Sequence, residues 1–237
     1  MTDAPSLSGM LVMDKPTGWT SMDVCARVRG LLRRGGAPKR VKVGHTGTLD
    51  PMATGVLVVL IGRATRLCDR LMADDKVYEA GIDLARRSNT DDAEGEIEEV
   101  AVFRAPTDAE VASVLAPFVG TIQQRPPAFS ALHVGGRRAY DLAREGRPVD
   151  LPARPVRIDE LRVLSYVFPS LSVRVTCGKG TYIRSLARDI GAALGTGGML
   201  TALRRTRVGP YDLSMSRTPD SLPGQLSQTD LLPTPPE

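Results

Sequence analysis

Gly44-His45-Thr46-Gly47-Thr48-Leu49-Asp50-Pro51-Met52-Ala53-Thr54-Gly55 is the segment around which the rest of this chain can be organised. Its glycines let backbone approach a ligand closely, and Pro51 biases Asp50 away from helical dihedrals, so the carboxylate is expected on a rigid loop. The segment lacks the glycine-lysine-serine ending of a phosphate-binding P-loop. An aspartate in a glycine-rich loop is more often a turn former than a catalyst, and the segment alone does not establish catalysis.

Outward from that loop, residues 55–61 read as a buried strand and residues 9–13 as another. Between them Thr20 and Asp23 form a helix-opening pair. Val24, Val28, Leu31 and Leu32 follow on one face, and Gly35-Gly36 closes the helix. Residues 76–84 read as a strand and are followed by an acidic loop. Thr107 and Glu110 open a second helix carrying Val111, Val114, Leu115 and Phe118, and residues 121–133 look extended until Pro126-Pro127. Residues 156–168 and 171–177 are expected to pair around Pro169-Ser170. A third helix starts near Thr181, with Ile183, Leu186, Ala187, Ile190 and Leu194 on its apolar face. From Ser214 onward serine and proline dominate, and a weakly ordered tail is expected.

Composition narrows the function classes. With 42% hydrophobic residues in 237, the chain can fill a core unaided. Its longest aliphatic run, Val56 to Ile61, is far short of the ~20 residues of a membrane span. The first ten residues lack a signal region, so no membrane and a cytoplasmic location are expected. Cys25, Cys68 and Cys177 match no disulfide or metal spacing, and His45 and His133 are the sole histidines, so no metal is expected. Charge is segregated. Residues 1–72 carry 11 basic and 5 acidic side chains, residues 73–118 carry 4 and 12, and residues 119–217 carry 16 and 7. Two basic blocks flanking an acidic one suit a polyanion, although a solvated surface explains them as well.

A second candidate segment is Gly178-Lys179-Gly180-Thr181-Tyr182-Ile183-Arg184-Ser185, where a strand passes into a helix whose free amides favour an anion beside Lys179 and Arg184, although taken alone it reads more readily as a routine turn with basic surface residues. Asp14-Lys15-Pro16 with Thr20-Ser21, Lys76-Val77-Tyr78, Pro126 through Leu132 and Leu203-Arg204-Arg205 complete the set. In this order the segments resemble the TruB-type family of tRNA pseudouridine synthases, over residues 9–213.

The resemblance implies an α+β fold, a mixed and mainly antiparallel sheet flanked by helices, with an inserted lobe that grips RNA. It implies conversion of uridine 55 in the T-loop of tRNA to pseudouridine by base flipping, without a cofactor. A monomer acting on the T-arm is expected. By the same resemblance Asp50 matches the catalytic carboxylate and Arg184 the arginine that pairs with it. Tyr78 lies against the target ring and is a candidate acceptor of the C5 proton. His45 contacts RNA near the flipped base, Tyr182 and Leu203 line the uracil pocket, and Lys15 and Lys179 are candidate substrate contacts. Residues 214–237 are too few for the further C-terminal RNA-binding module that family members often carry. Ser88-Asn89-Thr90-Asp91-Asp92 departs from the family's usual threonine-aspartate-threonine start, and Asn89 is given no role. The competing readings are a non-catalytic tRNA-binding or folding protein, and a hydrolase with paired carboxylates, for which no second acid stands out near Asp50.

Overall fold

The computed structural model describes residues 7–130, 132–134, 136–138, 142, 145–147 and 151–235. The extended reading of 121–133 therefore falls outside them at Ala131, as does the signal-free reading of the N-terminus for residues 1–6. The strands are β1 (Ser8–Lys15), β2 (Val43–His45), β3 (Thr54–Gly62), β4 (Lys76–Asp83), β5 (Arg86–Ser88), β6 (Ile97–Glu99), β7 (Gly120–Gln124), β8 (His133–Val134), β9 (Arg137–Arg138), β10 (Arg154–Val167), β11 (Ser170–Cys177), β12 (Met199–Val208) and β13 (Tyr211–Asp212). The helices are α1 (Ser21–Arg34), α2 (Cys68–Met72), α3 (Asp108–Leu115) and α4 (Ile183–Leu194). The chain forms two compact units, Met1–Tyr78 with Arg204–Glu237 and Glu79–Leu203; β4 and β12 contribute residues to both. The mixed, mainly antiparallel sheet with helices expected from the sequence is present.

In the first unit β1 and β3 pair antiparallel over their whole length, from Ser8↔Gly62 to Lys15↔Gly55. Both strands are buried on both faces, which explains their nearly unbroken apolar sequence. Leu11, Met13, Leu57, Val59 and Ile61 pack against Val24, Val28, Leu31 and Leu32 of α1. Met10, Val12, Val56, Val58 and Leu60 pack the other way, against Leu71, Val208 and Tyr211. The parallel contact of β12 with β3, Arg204↔Thr54 and Arg205↔Gly55, makes the sheet mixed. Helix α1 opens on a capping box: Thr20 Oγ1 accepts from the Asp23 amide at 3.1 Å, and the Asp23 carboxylate accepts from the Thr20 amide at 2.8 Å.

The tail departs from expectation. Residues 214–235 pack onto this unit, with Leu222, Leu226 and Leu231 buried among the α1 and β1 side chains. The Leu226 amide donates to Leu31 O at 3.1 Å, and Met10 and Leu232 exchange backbone hydrogen bonds of 2.9 Å. Gly35 is where this meets the helix end, since a Cβ there would lie 2.0 Å from Leu226 O. Composition points to disorder, but three leucines spaced along the segment supply enough apolar area, ~1.5–3 kcal/mol each when fully buried, to fix it.

In the second unit β10 and β11 form the antiparallel hairpin expected around Pro169-Ser170, with register shifts between Ile158 and Glu160 and between Val163 and Ser165. β7 pairs with the start of β10, from Arg154↔Gln124 to Ile158↔Gly120. Helix α3 carries the second expected capping box, Thr107 with Glu110. Helix α4 begins one residue after Tyr182, buries Ile183, Leu186, Ala187 and Ile190, and ends on Gly195 in the left-handed conformation. Among the described residues no helix is long and apolar enough to cross a membrane.

Candidate active site

The segment that carries Asp50 leaves the sheet after β2 and rejoins it at β3. Its carbonyls have no strand partners over that interval, and buried polar backbone must be satisfied some other way. Buried side chains do this. Lys15, fully buried, donates from Nζ to Pro51 O at 3.2 Å, Trp19 O at 2.6 Å and Pro16 O at 2.9 Å. Arg205, 2% exposed, donates from Nε to Val56 O at 2.7 Å, from Nη2 to Gly47 O at 3.1 Å and from Nη1 to Thr48 O at 3.5 Å. Ser21 Oγ accepts from the Leu49 amide at 2.8 Å and donates to Leu49 O at 3.1 Å. The Gly18 amide adds a bond to Pro51 O at 2.8 Å, and Asp50 O closes a turn with the Ala53 amide at 3.1 Å. Asp50 itself is half-buried, with its two sequence neighbours pinned on either side.

Gly55 is required where the loop returns. Its φ is +105°, and a Cβ would sit 2.2 Å from Arg205 O. Arg204 pins the same point from its other side, pairing with Asp14 at 2.8 Å and donating to Thr54 Oγ1 at 3.2 Å. His45 accepts the Gly47 amide at Nδ1, 3.3 Å, so in the neutral ring the proton sits on Nε2. Burial, with the Arg205 charge in support, lowers its pKa, so the ring is neutral at pH 7 and presents a hydrogen-bond donor.

The second unit holds Arg184, Tyr182, Leu203 and Lys179. Arg184, in the first turn of α4, is buried and forms an ion pair with buried Asp92 at 3.4 Å. It also donates to Thr90 O at 3.2 Å and Phe129 O at 3.0 Å. Asp92 is completed by the Thr90 hydroxyl at 2.6 Å and the Glu94 amide at 3.0 Å. One turn along, Arg188 pairs with Asp91 at 2.8 Å. Asp91 has φ +63°, a left-handed conformation, and its carbonyl accepts the Leu200 amide at 3.0 Å. Burial raises the Asp91 pKa, against the opposing pull of Arg188 and Arg184.

Tyr182 is half-buried and held through its backbone. Its amide donates to Gln124 Oε1 at 2.8 Å, and Gln124 Nε2 donates to Tyr182 O at 3.1 Å. The Arg154 guanidinium stacks 5.3 Å from the ring centroid. With the Tyr182 amide already taken, the helix start offers an anion one donor fewer than the sequence suggests. Lys179 is exposed beside it, whereas Leu203 is buried on β12. Tyr78 is half-buried on β4, at the end of the first of the two chain segments that make up the first unit.

Residues 34–183 match the model of the TruB family pseudouridylate synthase N-terminal domain, and residues 184–230 that of the tRNA pseudouridylate synthase B C-terminal domain. The chain belongs to the TruB family. It is 51% identical over 231 residues to tRNA pseudouridine synthase B of Thermobifida fusca, covering 92% of this chain and 75% of that protein. Identity to the Nocardia farcinica enzyme of the same name is 50% over 220 residues, 91% of this chain and 70% of that one. Among solved structures, a Cbf5-Nop10-Gar1 complex gives a TM-score of 0.67 at 31% identity, over 89% of this chain and 52% of that one. An H/ACA RNP bound to a substrate RNA containing 2'-deoxyuridine gives 0.64 at 27%, over 91% and 56%. The chain thus spans about half the length of these solved relatives.

Asp91, Asp92, Gln124 and the inward face of Arg205 escaped the sequence reading. Asp92 belongs to a segment noted only for departing from the family pattern. A buried ion pair 92 residues apart leaves no periodic signal. Among the described residues no group of three or more His, Cys, Asp or Glu side chains could hold a metal ion.

Proposed function

We propose that the chain converts uridine 55 in the T-loop of tRNA to pseudouridine, with Asp50 as the catalytic carboxylate. Family membership makes it a tRNA pseudouridine synthase, an isomerase. The observation that supports the assignment of Asp50 is its loop: Lys15, Ser21, Gly18 and Arg205 fix the backbone on both sides of this half-buried residue. Such preorganisation is what a group acting on one reacting atom needs.

In the isomerisation the bond from ribose C1′ to N1 breaks, the uracil turns, and a bond from C1′ to C5 forms. The C5 proton leaves and N1 ends protonated, so atoms balance without a cofactor. The Asp50 carboxylate starts this by attack or by helping to expel the base. Arg184 is assigned by the family match as its cationic partner, and its own position is set by Asp92, Thr90 and Phe129. Tyr78, Tyr182 and Leu203 supply the flat and apolar walls that keep the detached base in place. His45 recognises RNA as a neutral donor, and Lys179 supplies an exposed charge for the backbone. Lys15, fully buried on three carbonyls, is assigned to holding the loop and not to touching RNA. A monomer gripping the T-arm with an inserted lobe, in the cytoplasm, belongs to the same reading.

Tritium release from tRNA carrying C5-tritiated uridine tests it, because the C5 proton is lost only when the new bond forms. Release by the native chain, abolished in Asp50→Asn with tRNA binding retained, is the expected result. Full release by Asp50→Asn would remove the aspartate from the mechanism. Tyr78→Phe with unimpaired turnover would remove the proton-acceptor role and leave the stacking role.

A further inference from the structure

The first unit contains a groove of about 620 Å³ whose cationic side chains the reaction above does not use. The end of α1, the segment leading into β2, and Thr65 with Cys68 form its walls. Arg29, Arg33, Lys39, Arg40 and Lys42 all face it, and no acidic residue lines it. Two of these cations have structural work: Arg29 donates to Val43 O at 3.1 Å and Arg33 to Lys39 O at 2.5 Å, so they shape the segment. The other three are exposed and make no ion pair or side-chain hydrogen bond among the described residues.

Clustering like charges weakens a fold, so three unpaired cations beside two more are not explained by stability. An anion from outside would offset their mutual repulsion. Five charges exceed what one phosphate group neutralises and suit a polymer of phosphates. The groove also has room at its base. Gly44 lines it with no atom within 4 Å of where a Cβ would stand and with no positive φ, so nothing in the fold requires the side chain to be missing. His45 is shared between this wall and the loop of Asp50, which puts the groove and the reactive carboxylate on one continuous segment.

We propose that this groove binds the phosphodiester backbone of the RNA strand flanking the target nucleotide within the T-arm. The proposal rests on the reading of the chain as an enzyme of tRNA. It assigns Lys39, Arg40 and Lys42 to the phosphates and leaves Arg29 and Arg33 as the frame.

The test is a salt titration of binding to a T-arm hairpin RNA, comparing the native chain with Lys39→Ala/Arg40→Ala/Lys42→Ala. All three side chains are exposed, so the variant is expected to fold, which its thermal unfolding checks. Each lost phosphate contact lowers the slope of log K against log salt by ~0.7–0.9, hence by about 2–2.7 for three. Between 50 and 200 mM salt the native advantage should then shrink by roughly 20–40-fold. Tritium release at saturating hairpin should be unchanged while kcat/KM falls with affinity. An unchanged slope and affinity would overturn the proposal, including the case in which the groove instead serves an acidic protein. The two readings fail separately. A native chain that binds the hairpin with the expected slope difference but releases no tritium would retain the groove and lose the activity. Normal release with an unchanged slope would do the reverse.

Discussion

Replacing Asp92 by Asn isolates what holds Arg184. Both side chains are almost entirely buried, 8% and 3% exposed, and their charges stand 3.4 Å apart. At an effective dielectric of ~20 that separation corresponds to about 5 kcal/mol of attraction, in line with the ~3–5 kcal/mol typically lost when one partner of a buried pair is removed. Asparagine keeps an oxygen for the Thr90 hydroxyl and the Glu94 amide, so packing and those two bonds survive and the charge alone is withdrawn. Urea unfolding followed by two probes should remain coincident, and with a slope of about 2.5 kcal/mol/M the midpoint should fall by ~1–2 M. Arg184→Met in the Asp92→Asn background removes the stranded cation, and the pair should cost at least about 2 kcal/mol less than the sum of the single changes. A midpoint shift in Asp92→Asn below ~0.3 M, or strict additivity in the double variant, would refute the claim that Asp92 neutralises Arg184. Because Arg184 is proposed to meet the substrate, Asp92→Asn should also lower kcat more than it raises KM.

Leu226→Ala should destabilise the first unit by ~2–5 kcal/mol, measured by thermal or urea unfolding, since its side chain is fully buried against α1; a change under 0.5 kcal/mol would mean the tail is not docked in solution. His45 has a folded pKa below its ordinary 6.5, so its neutral form contributes stability that is complete above pH 6.5 and is lost as pH falls further. His45→Gln should remove that part of the pH slope, at most about 1.4 kcal/mol per pH unit, and an unaltered slope between pH 7 and pH 5 would contradict the burial argument. Burial pushes the Cys25 thiol up to about 11, and Cys177 is buried too, whereas Cys68 is half-buried with its thiol donating to His45 O at 3.3 Å. A thiol-reactive probe at pH 8 should therefore label Cys68 first in the native chain, and equal labelling of Cys25 would show that α1 opens readily.

What the sequence made legible follows from local physics. The two capping boxes, Thr20 with Asp23 and Thr107 with Glu110, announce their helices because the signal lies within four residues. The apolar runs of β1 and β3 announce strands covered on both faces. The tail misled because its proline and serine content is a statement about average composition, while its docking depends on Leu222, Leu226 and Leu231 finding a partner 200 residues earlier in the chain. The motif segments nominate candidate residues without showing how they are held, since Asp92 and Gln124 act on residues 92 and 58 positions away.

Lys15 and Arg205 show most clearly why sequence falls short here. Lysine and arginine are normally solvated, and neither residue carries a local cue that it points inward. The reason lies in the loop they serve. A segment that leaves the sheet between β2 and β3 forfeits strand hydrogen bonds; its carbonyls at Gly47 and Thr48 take their donors from Arg205, and Pro51 O takes Lys15 Nζ beside the Gly18 amide. A long cationic side chain reaches several such oxygens at once, and their dipoles help to solvate its charge. Arg205 then does a second thing by being charged where it is: it adds to the burial that keeps His45 neutral. Loop geometry and histidine protonation are thereby tied to one guanidinium. Even Lys at position 205 would loosen both, because an ammonium cannot reproduce the planar fork that spans Val56, Gly47 and Thr48.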